Sequence, residues 1–351
     1  MAALYWIQPG PLDKRTGGFV YNKQIITGLR ARGIAIELTE LPERYPQPSQ
    51  DDRREAENLL SGLPDGALVV IDGLAFAVLA DEMAPHAERL RIVELCHHPL
   101  HLETGMSEAE ASALFEAEKS ALRHAKAVLT TSHATSRDLE PFDIKPKIPI
   151  TAILPGVDKG ELATGAQGRG VELVCVASLT ARKGHRFLFE ALAGLRDRDW
   201  HLTCAGGAQH EPQTAAAIAE QIDRLSLRDR ISLAGELSGQ SLDRGYRDAH
   251  VFVLPSLHEG YGMVLVEALA RGLPIISTTA GAIPDVVPED AGLLVAPANA
   301  TALRKALADL IDHPEKRNRL AEGARRARDG LRPWADAVSE FDAALQRIGG
   351  T

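Results

Sequence analysis

Short apolar runs alternate with amphipathic stretches along nearly the whole chain. Ala3–Ile7, Ala67–Ile71, Ile92–Cys96, Val128–Thr131 and Ile150–Leu154 predict buried strands in the first half. Glu172–Ala177, His201–Ala205, Ile231–Ala234, Val251–Leu254 and Pro274–Ser277 predict them in the second. Helical periodicity fills the gaps, over Tyr21–Arg32 and Glu108–His124, then Leu188–Leu195, Thr214–Leu225, Val264–Arg271 and Ala300–Leu310. Strands that are apolar on both faces and separated by helices belong to parallel sheets covered on both sides. The expected class is therefore α/β, with two Rossmann-like, doubly wound halves. Such halves would face each other across a cleft, with ligands at the carboxyl ends of the strands.

The segment Thr164–Gly170 (TGAQGRG) carries three glycines and is the expected linker. This predicts domains over residues 1–164 and 165–330, followed by a terminal element over 331–351. In that element Trp334, Val338, Phe341, Leu345 and Ile348 recur at spacings of 4, 3, 4 and 3, which is one face of a helix. No internal repeat or low-complexity segment interrupts the pattern.

Composition narrows the function classes. The 351 residues are 45% hydrophobic and 25% charged, which fits a folded globular chain. Basic residues number 39 against 48 acidic, and the deficit is spread over both halves, 16 against 22 up to Ile150 and 23 against 26 after it. Neither half offers the basic field that nucleic acid requires. The same balance gives no support for strong attraction to anionic lipid, so a soluble acceptor or small metabolite is preferred to a lipid. No apolar stretch approaches the ~20 residues of a membrane-spanning helix. The start, MAALYWIQPG, lacks the form of a signal peptide. Cys96, Cys175 and Cys204 are an odd number without C-x-x-C spacing, as expected of small core residues in a reducing cytoplasm.

The sharpest chemical feature is His258-Glu259-Gly260-Tyr261-Gly262-Met263-Val264, which leads into Leu265-Val266-Glu267. It follows the strand Val251–Leu254, so Glu259 lies at a strand exit and Glu267 about one turn into a helix. Two carboxylates eight residues apart, bracketing a glycine-rich loop, can each accept hydrogen bonds from vicinal hydroxyls of a ribose or hexose. Either glutamate alone would be an ordinary solvated helix charge.

Glu259–Glu267 resembles the E-x7-E signature of the retaining GT-B glycosyltransferases, in a setting similar to glycosyltransferase family 4. Gly272-Leu273-Pro274, Gly281-Ala282-Ile283-Pro284-Asp285-Val286-Val287 and Ala291-Gly292-Leu293-Leu294-Val295 are similar to the continuation of that pattern. Lys183-Gly184 resembles its phosphate-site loop, Gly17-Gly18 its N-terminal glycine loop, and Leu154-Pro155-Gly156-Val157-Asp158 its pre-linker turn. The resemblance runs from Gln8 to about Trp334.

The resemblance implies a GT-B fold: an N-terminal acceptor-binding domain, a C-terminal domain for a nucleotide-sugar donor, and a last helix crossing back onto the first domain. It implies transfer of a hexose from a nucleoside diphosphate sugar to an acceptor hydroxyl, with retention and without a metal or other cofactor. Glu267 inherits the ribose contact, and Glu259 inherits sugar recognition and transition-state support. Backbone amides around Gly262 and Met263, with Tyr261 and Val264 beside them, inherit contacts to the sugar or diphosphate, as suits a helix N-terminus. Lys183 neutralises the leaving diphosphate in place of a metal ion.

The chain departs from the pattern at Ser178, where most members have an arginine five residues before the lysine. Arg182 is the available substitute, although adjacent side chains rarely point the same way. The histidines of Cys96-His97-His98-Pro99-Leu100-His101 follow the strand Ile92–Cys96. His97 matches the histidine that faces the donor sugar, and imidazole can donate to a sugar hydroxyl. His98 and His101 are acceptor-side candidates, and no H-E-x-x-H spacing supports a metal. Ser132, before His133, is expected to cap a helix. Gly17 and Gly18 allow close backbone approach to phosphate or acceptor, or else simply a turn. Gly206 closes the strand His201–Ala205 near the donor phosphates. The alternative functions are a GT-B sugar-nucleotide epimerase and a catalytically weakened nucleotide-sugar binding protein.

Overall fold

The structure is a computed structural model and describes residues 4–144, 148–167 and 170–350. Ala3 of the first expected strand and residues 168–169 of the expected linker lie outside them. Two compact units make up the chain, one of Met1–Gly156 with Arg332–Thr351 and one of Val157–Leu331. The division falls at Gly156, ahead of the expected boundary at residue 164. Residues 163–166 account for the shift. Their backbone N–H groups from Ala163 to Ala166 donate to the carbonyls of Arg271, Arg247 and Asp248, which ties the glycine-rich segment to the second unit.

The first unit contains β1 (Leu4–Pro9), β2 (Ile36–Leu41), β3 (Leu68–Asp72), β4 (Arg91–Cys96), β5 (Ala127–Thr130) and β6 (Ile150–Ala152). They pair in the order β2-β1-β3-β4-β5-β6, all parallel. The second unit contains β7 (Val171–Val176), β8 (Trp200–Ala205), β9 (Ile231–Gly235), β10 (Val251–Leu254), β11 (Ile275–Thr278) and β12 (Gly292–Val295). Their order is β12-β11-β10-β7-β8-β9, again parallel. In each sheet the chain starts in the middle, fills one side and then the other. The strand order therefore reverses between β1 and β3 in one unit and between β7 and β10 in the other. Ligands of open α/β sheets bind at such reversals, outside the carboxyl ends of the strands.

Helices pack on the sheets through their apolar stripes. Leu188, Phe189 and Leu192 of the helix His185–Ala193 and Leu303, Leu307 and Leu310 of Ala300–Asp312 are buried in the second core. The helix Gln50–Gly62 begins with a capping box, in which Ser49 N–H donates to Asp52 Oδ2 at 2.7 Å and Asp52 N–H to Ser49 Oγ at 3.3 Å.

The terminal helix Trp334–Gly349 belongs to the first unit. Phe341 stacks on Trp6 of β1 with centroids 5.6 Å apart, and Val338 covers Gly28 of the helix Gly17–Ala31. At its start the Trp334 backbone crosses Gly156, where an added Cβ would lie 2.2 Å from Trp334 N. Among the described residues, no helix is long and apolar enough to cross a membrane.

Candidate functional site

In the second unit the loops leaving β7 and β10 meet at the strand reversal. After β7 the chain turns through the short 3-10 segment Ala181–Lys183 to Gly184, whose φ is +70°. A Cβ at Gly184 would lie 2.1 Å from the Pro255 carbonyl oxygen, so glycine is what lets the two loops touch. Leu257 N–H donates to the Arg182 carbonyl at 2.7 Å and fixes their register.

Glu259 sits at the centre of this contact, 5% exposed. Lys183 Nζ donates to its Oε1 at 2.6 Å, Ser256 Oγ donates to the same oxygen at 2.6 Å, and Arg182 NH1 lies 3.6 Å from Oε2. Arg182 NH1 also donates to the His258 carbonyl at 2.9 Å. Burial alone would raise the Glu259 carboxyl. The Lys183 and Arg182 charges, with the hydrogen bonds from Lys183 and Ser256, outweigh it and bring the pKa down to about 2. Glu259 is thus a fixed anion at working pH. Arg182 and Lys183 do converge on one carboxylate, against the expectation that neighbours diverge; the tight 3-10 turn and the reach of the guanidinium make this geometry available.

The loop then runs through Gly260, Tyr261 and Gly262, the last with φ +90°, into the helix Met263–Ala270. No side chain caps that helix, so the first amides near Met263 and Val264 are not taken by a capping group. Gly281, with φ +57°, crosses behind: a Cβ there would lie 2.2 Å from the Glu259 carbonyl oxygen, which accepts from Ala282 N–H at 2.9 Å.

Glu267 projects from the same helix. Its Oε2 accepts from the buried Tyr246 hydroxyl at 2.8 Å. Arg271 lies over the Tyr246 ring at 4.4 Å and binds Asp243 at 2.7 Å. Burial raises the Glu267 carboxyl, while the Tyr246 hydroxyl and the Arg271 charge pull against it. Gly206 is accounted for by packing, since a Cβ there would meet the Ala177 carbonyl oxygen at 1.8 Å.

In the first unit His97 follows β4 directly. Its Nε2 is 3.1 Å from Asn22 Oδ1 and 3.4 Å from Asp72 Oδ2. The ring stands edge-on to Tyr21 at 5.6 Å and covers Gly18, where an added Cβ would be 3.1 Å from His97 Cδ2. Gly17 and Gly18 open the helix Gly17–Ala31, whose N-cap Thr16 makes no side-chain capping bond. Glycine at position 18 leaves room for the histidine to lie against that helix end.

His98 bonds Glu103 at 3.3 Å. His101 lies edge-on to Phe115 at 5.1 Å and Phe142 at 5.4 Å, so packing accounts for it without an acceptor. Burial, and then the His98 charge, lower its pKa. Ser132 Oγ accepts from Thr135 N–H at 2.8 Å and caps the helix His133–Asp138.

Gln8, Asn22, Asp72, Tyr246 and Ser256 were not singled out from the sequence. A signal for two of them existed: Gln8 and Asp72 are polar residues at the carboxyl ends of otherwise apolar strands. Among the described residues one group, Glu94, Cys96 and Glu118, brings possible metal-ligating atoms within 4.8 Å of one another, inside the first unit.

The chain is similar to several known proteins. The family model described as Glycosyl transferases group 1 matches residues 163–327. The chain is 30% identical over 332 residues to the MMP alpha-(1->4)-mannosyltransferase of Mycolicibacterium hassiacum, covering 89% of this chain and 79% of that protein. It is 35% identical over 157 residues to the D-inositol 3-phosphate glycosyltransferase of Corynebacterium glutamicum, covering 42% of this chain and 37% of that one. Among solved structures, sucrose-phosphate synthase from Thermosynechococcus elongatus has a TM-score of 0.81 at 19% identity, covering 99% of this chain and 100% of that one. HepE from Anabaena in complex with UDP-glucose has a TM-score of 0.75 at 17% identity, covering 98% and 100%. These likenesses are to glycosyltransferases of GT-B fold.

Proposed function

The chain belongs to the glycosyl transferases of group 1, and from that membership we propose that it is a retaining, metal-independent hexosyltransferase of the family 4 kind. It moves a hexose from a nucleoside diphosphate sugar, held by the second unit, to an acceptor hydroxyl held by the first. The observation that carries the reading is the convergence of Lys183 and Arg182 on Glu259 at the strand reversal. Arg182 and Lys183 bring two cations to the carboxyl end of the second unit's sheet. A leaving diphosphate meets that charge where a metal ion would otherwise be needed.

Glu259, ionised at every working pH, cannot protonate a leaving group. It serves as an acceptor for sugar hydroxyls and as a negative charge that supports a developing oxocarbenium ion. Tyr246 occupies one oxygen of Glu267 and leaves the other for the ribose hydroxyls. With retention, the acceptor attacks from the face that the diphosphate leaves, and the departing phosphate oxygen takes the acceptor's proton. This route needs no general-base residue beside the acceptor. In this reading Arg182, whose NH1 lies 3.6 Å from Glu259 Oε2, supplies the second cation that Ser178 does not, and the weakened binding protein would show donor binding without turnover.

The test is a thermal-shift panel of UDP, GDP, ADP and TDP with their sugar conjugates, followed by NMR of the product formed with the selected donor. A ligand at 100 times its Kd stabilises by about 2.7 kcal/mol, well within detection. Stabilisation by one base and a product that keeps the donor's anomeric configuration is the expected result. No stabilisation by any of them overturns the donor site, an inverted product overturns retention, and conversion of donor without acceptor points to the epimerase.

A further inference from the structure

The His97 ring is the visible end of a buried polar chain whose hydrogen-bond directions are all determined. At the far end, Gln8 Nε2 donates to the Gly10 carbonyl at 3.3 Å, so Gln8 presents its Oε1 inward. Asn22 Nδ2 donates to that oxygen at 3.3 Å and to Asp72 Oδ2 at 2.8 Å. Both partners are acceptors, which settles the Asn22 amide and turns its Oδ1 toward His97. Asp72 Oδ1 accepts from Leu74 N–H at 3.0 Å, which anchors the carboxylate. Gln8 and Asn22 are 0% exposed and Asp72 1%. His97 Nε2 therefore faces two acceptors, Asn22 Oδ1 and Asp72 Oδ2, and must carry a proton.

From this geometry we infer that Gln8, Asn22 and Asp72 are positioning residues that fix a His97 proton on Nε2, so that the neutral ring is the Nε2–H tautomer. Nδ1 is then the nitrogen left for a ligand, and in the neutral ring it is a lone pair. The neutral ring therefore takes a hydroxyl that donates into Nδ1, which reverses the donor role expected for His97 from the resemblance. Sugar hydroxyls of the donor or acceptor have that chemistry, and an amide or ether oxygen does not. The three positioning residues come from β1, the first long helix and the end of β3, so the strand reversal of the first unit is what assembles them. The inference rests on the proposed place of His97 at the sugar, but the tautomer is measurable without any ligand.

The experiment is a long-range 1H–15N spectrum of protein labelled at histidine nitrogen, at a pH where the His97 ring is neutral, with His97→Gln used to assign the signal. The Nε2–H tautomer is expected in the native protein, and a mixture of tautomers in Asp72→Asn. That variant is expected to lower kcat about tenfold while the donor KM stays within about twofold. A donor with the contacted hydroxyl replaced by fluorine, which cannot donate, should lose the His97-dependent part of its rate. An Nδ1–H tautomer in the native protein overturns the proposal without reference to any variant. An unchanged tautomer and rate in Asp72→Asn overturns the part given to Asp72. If His97→Gln retains the full transfer rate, the placement of His97 at the sugar is wrong, even where the tautomer is as expected.

Discussion

Glu259 ties the charge at the donor site to the chemistry proposed there. Its carboxyl is held down to about 2 by Lys183 and Arg182, against an ordinary value of 4.5. An acid whose folded pKa is depressed contributes stability above its ordinary value and loses it as pH falls toward the folded one. Glu259→Gln is therefore expected to flatten the fall in stability between pH 4.5 and about 2, and to lower turnover at least tenfold. Denaturant titrations across that range and initial rates at neutral pH check both. Lys183→Ala should lower kcat more than it raises the donor KM, because the diphosphate charge grows as the bond breaks. An undiminished kcat in that variant removes Lys183 from the phosphate site. The fold brings Lys183 onto Glu259; in the sequence the eight-residue spacing picks out Glu259 and Glu267, and the Lys183-Gly184 loop picks out Lys183. Arg182 was underrated there, since the spacing of two neighbours says nothing of a 3-10 turn that sends both to one anion. Ser256 and Tyr246 carry no pattern at all, and only the folded loops bring them to the glutamates.

Elements were legible in proportion to how apolar they are. The inner strand β10, VFVL, is an unbroken apolar run because both faces are covered, and β4, RIVELC, is apolar apart from Arg91 and Glu94. The strand β2, IELTEL, was missed: it lies at a sheet edge, five of its six residues are not buried, and its sequence alternates. At an edge of the second sheet, β12 stands out in the sequence as part of a motif more than as a strand. The helix Pro314–Gly330 was missed because it buries only Leu320, Gly323 and Ala324, too few for a stripe. The terminal helix was legible from its spacing, and its docking is tight. A Cβ at Gly28 would lie 2.3 Å from Val338 Cγ2, so Gly28→Ala must push that helix away from its neighbour. Phe341→Ala removes the ring stacked on Trp6 and should destabilise by about 3–5 kcal/mol, with loss of amide protection in Trp334–Gly349 and in β1. Amide exchange confined to the last helix would show that β1 does not depend on this contact.

At the scale of the whole chain, one buried acid cluster in each unit sets a different edge of the pH range. In the second, the depressed Glu259 carboxyl favours neutral over acid conditions. In the first, Glu94 and Glu118 are buried together beside Cys96, and both Glu94 oxygens lack a hydrogen bond. Burial raises Glu118 to about 8, against an ordinary value of 4.5, with Leu100 N–H pulling weakly the other way; burial and the Glu118 charge raise Glu94 further. An acid whose folded pKa is raised binds more protons in the folded state, so its unit loses stability as pH rises from 4.5 to about 8. Exchange measured peptide by peptide should therefore show residues 4–156 and 332–350 opening more readily at pH 8.5 than at pH 6, with residues 157–331 nearly unmoved. Glu118→Gln, which keeps an acceptor for Leu100 N–H and removes the charge, should shrink that difference to the part carried by buried Glu94 and raise the first unit's stability at pH 8.5. A saturating nucleoside diphosphate should instead protect the second unit alone. If both units soften together at pH 8.5 in the native protein and in Glu118→Gln alike, the buried acid pair is not what sets the alkaline limit.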